Sequence, residues 1–554
     1  MSTSNCKEQQ NNVWILIPAR GGSKGIPRKN LRLLDNKPLI LHSLENIRGY
    51  FSQTQVIIST DDAEIKAVTE HLATLHHRPS YLANDSTTLD EVAVAVSDWL
   101  IQNGANPQDP ILTIQPTSPF IQVQTILEGL KLLNDGAKSI ITVRDDRHLR
   151  WTIDKQGNPA PLFAERLNRQ WLPVALAETG GLIGSRIGDI LDKQTRLVQP
   201  VALLEVSSEE GLDIDDYRDW AVAEFLIRRK RIVIRSDGSP ALGMGHVYRA
   251  IALAQELNEH QLTIVTKCEG ENRIGADFLL SQPYPVKTIE DEAEFLGLLE
   301  DIKPHITILD VLDTSETYMQ KVKSYSQGVV SLEDLGPGAR LADVVINDLY
   351  TDLYPQHNHW YGVQNAILSS HFETIHAPKK ANRKIKKIIV AFGGTDPQNL
   401  TIKTLSALKD TSFEGEVTVV LGPGYLHKQF HLSSYQLKGT VKQSVKNMAL
   451  LMQTADLAIT SAGRTVTELM TLGIPTLVMC QNIRELRHTH ASSPFGVINL
   501  GLGEHVAVST LAQHIMMLLN DHKLRQDMQQ RALQATQERS NRKIAQRILA
   551  VATK

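Results

Sequence analysis

The segment Arg20-Gly21-Gly22-Ser23-Lys24-Gly25-Ile26-Pro27-Arg28-Lys29-Asn30 gathers cations and glycines in one short stretch. Arg20, Lys24, Arg28 and Lys29 can neutralise a polyphosphate. Gly21 and Gly22, without Cβ atoms, let the main chain approach it closely. For the charges alone, a solvated basic turn is the competing reading. Far downstream, Gly211-Leu212-Asp213-Ile214-Asp215-Asp216-Tyr217 supplies the complementary chemistry. If this stretch is extended, Asp213 and Asp215 share a face. Two carboxylates opposite a basic phosphate loop suit a Mg2+ ion shared with a nucleotide. A helix N-cap at Asp215 or Asp216 is the alternative, and both hold if Asp216 caps while the other two ligate.

A second set of reactive residues lies in the other half of the chain. Gly243-Met244-Gly245-His246-Val247-Tyr248-Arg249 puts a histidine after a glycine turn, and Val247, Ala250, Ile251, Ala254 and Leu257 continue at helical spacing. A histidine at the start of a helix tends to stay neutral and can accept a proton, as a general base does. Capping or packing is the plainer role for His246. In Ser461-Ala462-Gly463-Arg464-Thr465-Val466-Thr467-Glu468, Gly463 and the next amides could cradle a diphosphate. Glu468 could then hold ribose hydroxyls, or simply partner the helix dipole.

Positioning these groups requires strands that end at them. Val13 to Ile17 is a short apolar, β-branched run leading straight into the basic loop. Thr54 to Ser59, Ile111 to Ile114 and Ser139 to Val143 are further strand candidates, separated by helical patterns. Such alternation implies a mostly parallel sheet with ligands beyond the carboxyl ends of its strands. The basic loop, Asp61-Asp62 and Gln115-Pro116-Thr117-Ser118 all follow strands and should converge. After Arg228-Arg229-Lys230-Arg231 a new alternation begins at Ile232, and a basic stretch, Ala377 to Lys387, precedes a third at Ile388. The expected organisation is a domain over residues 1–229 and a second over 231–554, with lobes at about 231–380 and 386–554.

Bulk properties set outer bounds. At 554 residues the chain exceeds a single core, and length alone suggests about four lobes. A net charge of -3 argues against general nucleic-acid binding, so any anion site must be local. Cys6, Cys268 and Cys480 are widely spaced, form no C-x-x-C pair and are expected as reduced thiols. The polar first residues lack a signal-like apolar core and no run reaches membrane-span length, so a cytoplasmic protein without a membrane span is expected.

Residues 12–228 resemble the cytidylyltransferases that activate nine-carbon acidic sugars. The resemblance rests on Ile17 to Asn30, Ser59-Thr60-Asp61-Asp62, Arg78-Pro79 with Leu82-Ala83, Gln115-Pro116-Thr117-Ser118-Pro119 and Asp213-Ile214-Asp215. It implies a Rossmann-like nucleotidyltransferase fold using CTP and a nine-carbon acidic sugar. Arg20, Lys24 and Lys29 would neutralise the triphosphate in a loop that also contains Gly21, Gly22, Ser23 and Asn30. Arg78 and Thr88 would lie at the cytidine, Gln115, Thr117 and Ser118 at the acidic sugar, and Asp213 and Asp215 would bind Mg2+. Two departures fall where the sugar would be read: Phe120-Ile121, where the family often has Leu-Arg, and Glu178-Thr179-Gly180-Gly181, where it commonly has Asn-Gly with an aromatic residue.

Residues 231–510 resemble the hydrolase of pseudaminic acid biosynthesis, which removes UDP from a diacetamido trideoxy sugar. The matching pieces are Arg235-Ser236-Asp237, the His246 segment, Phe392 to Thr401 and Ser461 to Glu468. The resemblance implies a two-lobed, GT-B-like α/β fold that needs no metal. His246 would activate water, Gly394, Gly463, Thr465 and Glu468 would bind UDP, and Asp237 and Arg249 would contact the sugar. A glycosyltransferase of similar fold, or a non-catalytic nucleotide-sugar-binding domain, are the alternatives. Together the two resemblances imply that one half frees a sugar, a separate phosphoenolpyruvate-dependent synthase extends it, and the other half activates the product. A homodimer is compatible with this arrangement.

Overall fold

The computed structural model describes residues 12–22, 25–240, 242–351, 358–375, 383–443, 445 and 447–553. Cys6, Ser23, Lys24 and part of the basic stretch before Ile388 lie outside the described residues. The chain divides into two compact units, residues 1–228 and 229–554. No helix among the described residues is long and apolar enough to cross a membrane.

The first unit is built on one seven-stranded sheet, in the order Val201–Glu205, Ser139–Asp145, Leu176–Arg186, Pro110–Ile114, Trp14–Pro18, Val56–Thr60 and Thr74–His77. Trp14–Pro18 lies parallel between Pro110–Ile114 and Val56–Thr60. It is apolar throughout because both its faces are covered, as parallel sheets require. Ile15 and Ile17 pack with Ile40, Leu44 and Ile126 from two helices, while Leu16 packs on the other face with Val92, Val96 and Leu100. Leu176–Arg186 runs antiparallel to both neighbours and shifts register between Glu178 and Ile183. That irregularity, at Thr179-Gly180-Gly181, hides the strand from any reading based on regular alternation.

The second unit has two parallel sheets. The first orders Val286–Ile289, Gln261–Lys267, Arg231–Ser236, Ile306–Asp310, Gly328–Leu332, Val344–Asn347 and His359–Tyr361. The second orders Lys438–Gln443, Glu416–Leu421, Lys387–Ala391, Leu457–Thr460, Thr476–Cys480 and Val497–Leu502. In each sheet the chain order reverses beside the first strand laid down, which opens a crevice beyond its carboxyl end. One expected boundary needs correction: the second lobe does not keep the chain to its last residues. On the helix Asn541–Leu549, Ile544, Ala545 and Ile548 join the core of the first lobe, beside Ala250 and Leu253. An amphipathic helix buries its apolar face wherever a sheet still needs cover.

Candidate active sites

In the first unit the basic loop and the aspartate segment are fastened to each other. Lys29 Nζ donates to the carbonyl of Ile214 at 2.5 Å and lies 3.5 Å from Asp215 Oδ1. A Cβ on Gly25 would fall 2.3 Å from the Asp215 carbonyl oxygen, so only glycine permits this approach. Asn30 Nδ2 donates to the Arg20 carbonyl at 3.1 Å, and the Gly21 amide donates to Asp61 Oδ1 at 3.1 Å. Arg20 is held at the rim by the Asn84 carbonyl and Asp85.

Asp216 takes the N-cap of helix Tyr217–Ile227, accepting from the amides of Arg218 and Asp219. Asp213 and Asp215 are thereby left for other work. Ile214 between them is fully buried, and its amide donates to the Thr117 carbonyl at 2.8 Å. Burial raises the pKa of Asp213; the Thr117 hydroxyl opposes the rise and the charge of Asp215 adds to it. Asp213 Oδ1 is buried with no hydrogen-bond partner among the described residues. A buried, unpartnered carboxylate oxygen beside a second carboxylate fits a hard divalent cation. Among the described residues no third acidic, histidine or cysteine side chain joins the pair, so phosphate oxygens would have to complete the shell.

Other expected residues are placed less directly. Gln115 Nε2 donates to the carbonyl of Gly180 at 2.7 Å, and Gly180 has a φ of +72° that side chains rarely adopt. Ser118 is buried and its hydroxyl has no partner among the described residues. Arg78 is 3% exposed and donates to the Ser59 carbonyl and hydroxyl, and burial lowers its pKa to about 10. Thr88 starts a helix. Its hydroxyl accepts from the Glu91 amide and the Glu91 carboxylate accepts from the Thr88 amide, so it forms a capping box for helix Leu89–Gln102.

In the second unit a cavity of about 390 Å3 collects residues from both lobes. His246, second residue of helix Gly245–Glu256, is 7% exposed and lines it. Its Nδ1 lies 2.6 Å from Asp310 Oδ1, at the end of Ile306–Asp310. A carboxylate only accepts, so Nδ1 donates to it, and Nε2 is the nitrogen that carries the lone pair in the neutral ring. Burial alone would raise the Asp310 pKa, but Arg249 and His246 outweigh it and hold it well below the carboxylate range. Arg249 Nε donates to Asp310 Oδ2 at 2.6 Å, and its Nη2 bonds Asp310 Oδ1 and lies 3.2 Å from Glu333 Oε2.

Gly394, Gly463, Thr465 and Glu468 also line this cavity. The amide of Ala462 donates to Glu485 at 3.2 Å, whereas those of Gly463, Arg464 and Thr465 have no acceptor among the described residues. The two residues expected at the sugar, Asp237 and Arg249, both make internal ion pairs. Asp237 is not among the residues lining the cavity, and its Oδ1 accepts from Arg235 at 2.6 Å and from the Lys267 amide at 2.7 Å. Arg249 reaches the wall, but it is 2% exposed and its guanidinium is committed to buried acids. Asp310, Glu333, Asp348, Arg484 and His488 were not singled out from sequence. The signal available was an acidic residue at or just after the ends of three adjacent strands, Ile306–Asp310, Gly328–Leu332 and Val344–Asn347.

Glu468 is pushed up to about 7 by burial, against the opposing charge of Arg464. Its folded form therefore holds a proton that the unfolded chain has already lost, and stability must fall as pH rises from about 4.5 to about 7. Glu468→Gln is expected to flatten that part of the thermal-midpoint profile and to be the more stable protein above it. An unchanged slope in a melting series across this range would remove Glu468 as its source.

Residues 14–176 match the cytidylyltransferase family model, and residues 388–548 match the glycosyltransferase family 28 C-terminal domain. An uncharacterized protein of Methanocaldococcus jannaschii is 32% identical over 273 residues, 46% of this chain and 56% of that protein. The chain thus spans little more than half the length of that relative. The spore coat polysaccharide biosynthesis protein SpsG of Bacillus subtilis is 28% identical over 313 residues, 53% of this chain and 90% of that one. The CMP-N,N'-diacetyllegionaminic acid synthase of Legionella pneumophila is 31% identical over 225 residues, 39% of this chain and 96% of that one. With its basic loop tied to a carboxylate pair in one unit and a GT-B-like second unit, the chain belongs to the cytidylyltransferase family and carries a glycosyltransferase family 28 C-terminal domain besides.

Proposed function

We propose that the chain is a bifunctional enzyme of acidic-sugar nucleotide biosynthesis. The first unit joins a nine-carbon acidic sugar to CMP, and the second hydrolyses a UDP-diacetamido-trideoxy sugar. In the first reaction the anomeric hydroxyl attacks the α-phosphate of CTP and pyrophosphate leaves. Arg20, Lys24 and Lys29 neutralise the phosphates and align them, while Gln115, Thr117 and Ser118 hold the sugar. Asp213 and Asp215 would hold Mg2+, which supplies charge neutralisation and acidifies the attacking hydroxyl when bound.

In the second reaction His246 Nε2 takes a proton from water, the water oxygen bonds to the anomeric carbon, and the bond from that carbon to the diphosphate oxygen breaks. UDP leaves with the electron pair, its charge received by the amides of Gly463, Arg464 and Thr465. Asp310 orients the imidazole. The observation that carries this half is the 2.6 Å contact between His246 Nδ1 and Asp310 in the cavity wall. A phosphoenolpyruvate-dependent synthase, on another chain, would connect the two products.

The family 28 match favours a second reading, in which a hydroxylated acceptor replaces water. Product analysis by mass spectrometry separates them. The full chain should release UDP from a UDP-2,4-diacetamido-2,4,6-trideoxyhexose with no acceptor present, and should form a CMP-sugar from CTP, Mg2+ and a nine-carbon acid. UDP release that strictly requires an acceptor replaces hydrolysis by transfer. Failure of every nine-carbon acid to yield a CMP-sugar removes the first assignment.

A further inference from the structure

Glu333 sits in the wall of the same cavity with a main-chain φ of +57°, a conformation that non-glycine residues adopt at a cost of order 1 kcal/mol. It is 6% exposed. Arg249 Nη2 lies 3.2 Å from Oε2. On the other oxygen, His488 Nε2 stands 3.8 Å from Oε1 and Arg484 Nε 3.9 Å from it, both too far for a hydrogen bond.

The polar atoms around this carboxylate are conspicuously unsatisfied. Among the described residues, His488 Nε2, Arg484 Nε and Tyr350 Oη are buried without a hydrogen-bond partner, while Asp348 Oδ2 has only an ion pair with Arg464 at 3.3 Å. They form one neighbourhood: Asp348 is 3.6 Å from Arg249, and the Tyr350 ring stands edge-on to His488 with centroids 5.3 Å apart. Buried polar groups are ordinarily paired, so a cluster of orphans around one carboxylate marks a place built for something else. The other ends of these side chains are anchored. Arg484 Nη1 binds Asp313 at 2.8 Å and Nη2 donates to the Glu333 carbonyl at 3.1 Å.

The tautomers set what the place accepts. His488 Nδ1 faces the Ala462 carbonyl at 2.8 Å, and a carbonyl only accepts, so Nδ1 carries the hydrogen. Burial lowers the His488 pKa, leaving Nε2 as a lone pair. Burial would raise the Glu333 pKa, but the charge of Arg249 outweighs it and keeps the carboxylate ionised. Glu333, His488 and Arg484 all line the cavity, and together they bring two acceptors and one donor, Arg484 Nε, to its wall, the two nitrogens being buried and unpartnered among the described residues.

We propose that Glu333, His488 and Arg484 form the carbohydrate-reading subsite of this cavity, and that it takes a neutral sugar through adjacent hydrogen-bond donors, hydroxyl or amide N–H. The inference rests on reading the cavity as a UDP-sugar site. It adds residues that select the sugar, apart from His246, which acts on water, and from the amides at Gly463, which receive the diphosphate.

The test uses the full chain carrying His246→Ala, which should bind substrate without turning it over, and compares calorimetric affinities for UDP and for a UDP-2,4-diacetamido-2,4,6-trideoxyhexose. The parent should bind the sugar nucleotide more tightly than UDP. Adding Glu333→Gln should cost roughly 10-fold or more for the sugar nucleotide and leave UDP within about twofold, as expected for a lost charged hydrogen bond. Adding His488→Phe, which keeps a ring against Tyr350, should show the same selective loss. Equal losses for both ligands, no loss for either, or a parent that does not distinguish them would overturn the proposal. A parent that binds neither ligand would instead sink the UDP-sugar reading, and the subsite with it.

Discussion

Replacing His246 with alanine is expected to lower UDP release by roughly 10³-fold while CMP-sugar formation by the same chain stays unchanged. The size follows from the geometry. Asp310 fixes the imidazole through Nδ1 and directs the Nε2 lone pair outward, so the ring is oriented before substrate arrives. The selectivity follows because His246 belongs to the second unit and the phosphate loop to the first. A fold defect is not expected to mimic this result. With the imidazole gone, Arg249 still binds both oxygens of Asp310, so no buried charge is left uncompensated. Chromatographic assay of UDP and of CMP-sugar on one preparation checks both halves. A variant keeping more than about a tenth of its UDP release would show that His246 is not the base.

The ease with which His246 is found, and Asp310 missed, shows what kinds of information a sequence carries. His246 follows Gly243-Met244-Gly245, a local pattern with a local meaning. Asp310 lies 64 positions away and meets His246 only because Ile306–Asp310 pairs in register with Arg231–Ser236, which precedes the histidine turn. The α/β alternation was legible because strands covered on both faces are apolar throughout, as Ile15, Leu16 and Ile17 are. The strand Leu176–Arg186 was not, because its register shift and glycines break the pattern. Asp237 and Thr88 show a different ambiguity. Aspartate and threonine serve ion pairs and helix caps as readily as ligands, and only the partners, Arg235 for one and Glu91 for the other, decide between the uses. Of Asp213, Asp215 and Asp216, the last alone takes the cap, so the helix makes no claim on the other two side chains.

That division of labour makes Asp213→Asn the most informative change in the first unit. CMP-sugar formation is expected to fall by roughly 10³-fold and to stay low at saturating Mg2+, because amide oxygen is a poor substitute for carboxylate toward a hard cation. Stability should move the opposite way. Asp213 has a folded pKa raised by burial, so its ionised form is disfavoured in the folded chain at any pH above its unfolded value. Asparagine removes that cost. In metal-free buffer the variant should therefore melt at the same temperature as the parent or higher near neutral pH, with the difference vanishing as acid protonates the parent. Asp215, with a side chain 79% exposed, has no such burial to relieve, so Asp215→Asn should lower activity without the gain in stability. Added Mg2+ should raise the melting temperature of the parent more than that of either variant, a readout independent of turnover. If Asp213→Asn instead melts lower at neutral pH and still forms CMP-sugar, the carboxylate is a structural group. The unpartnered Oδ1 would then need another explanation than a cation.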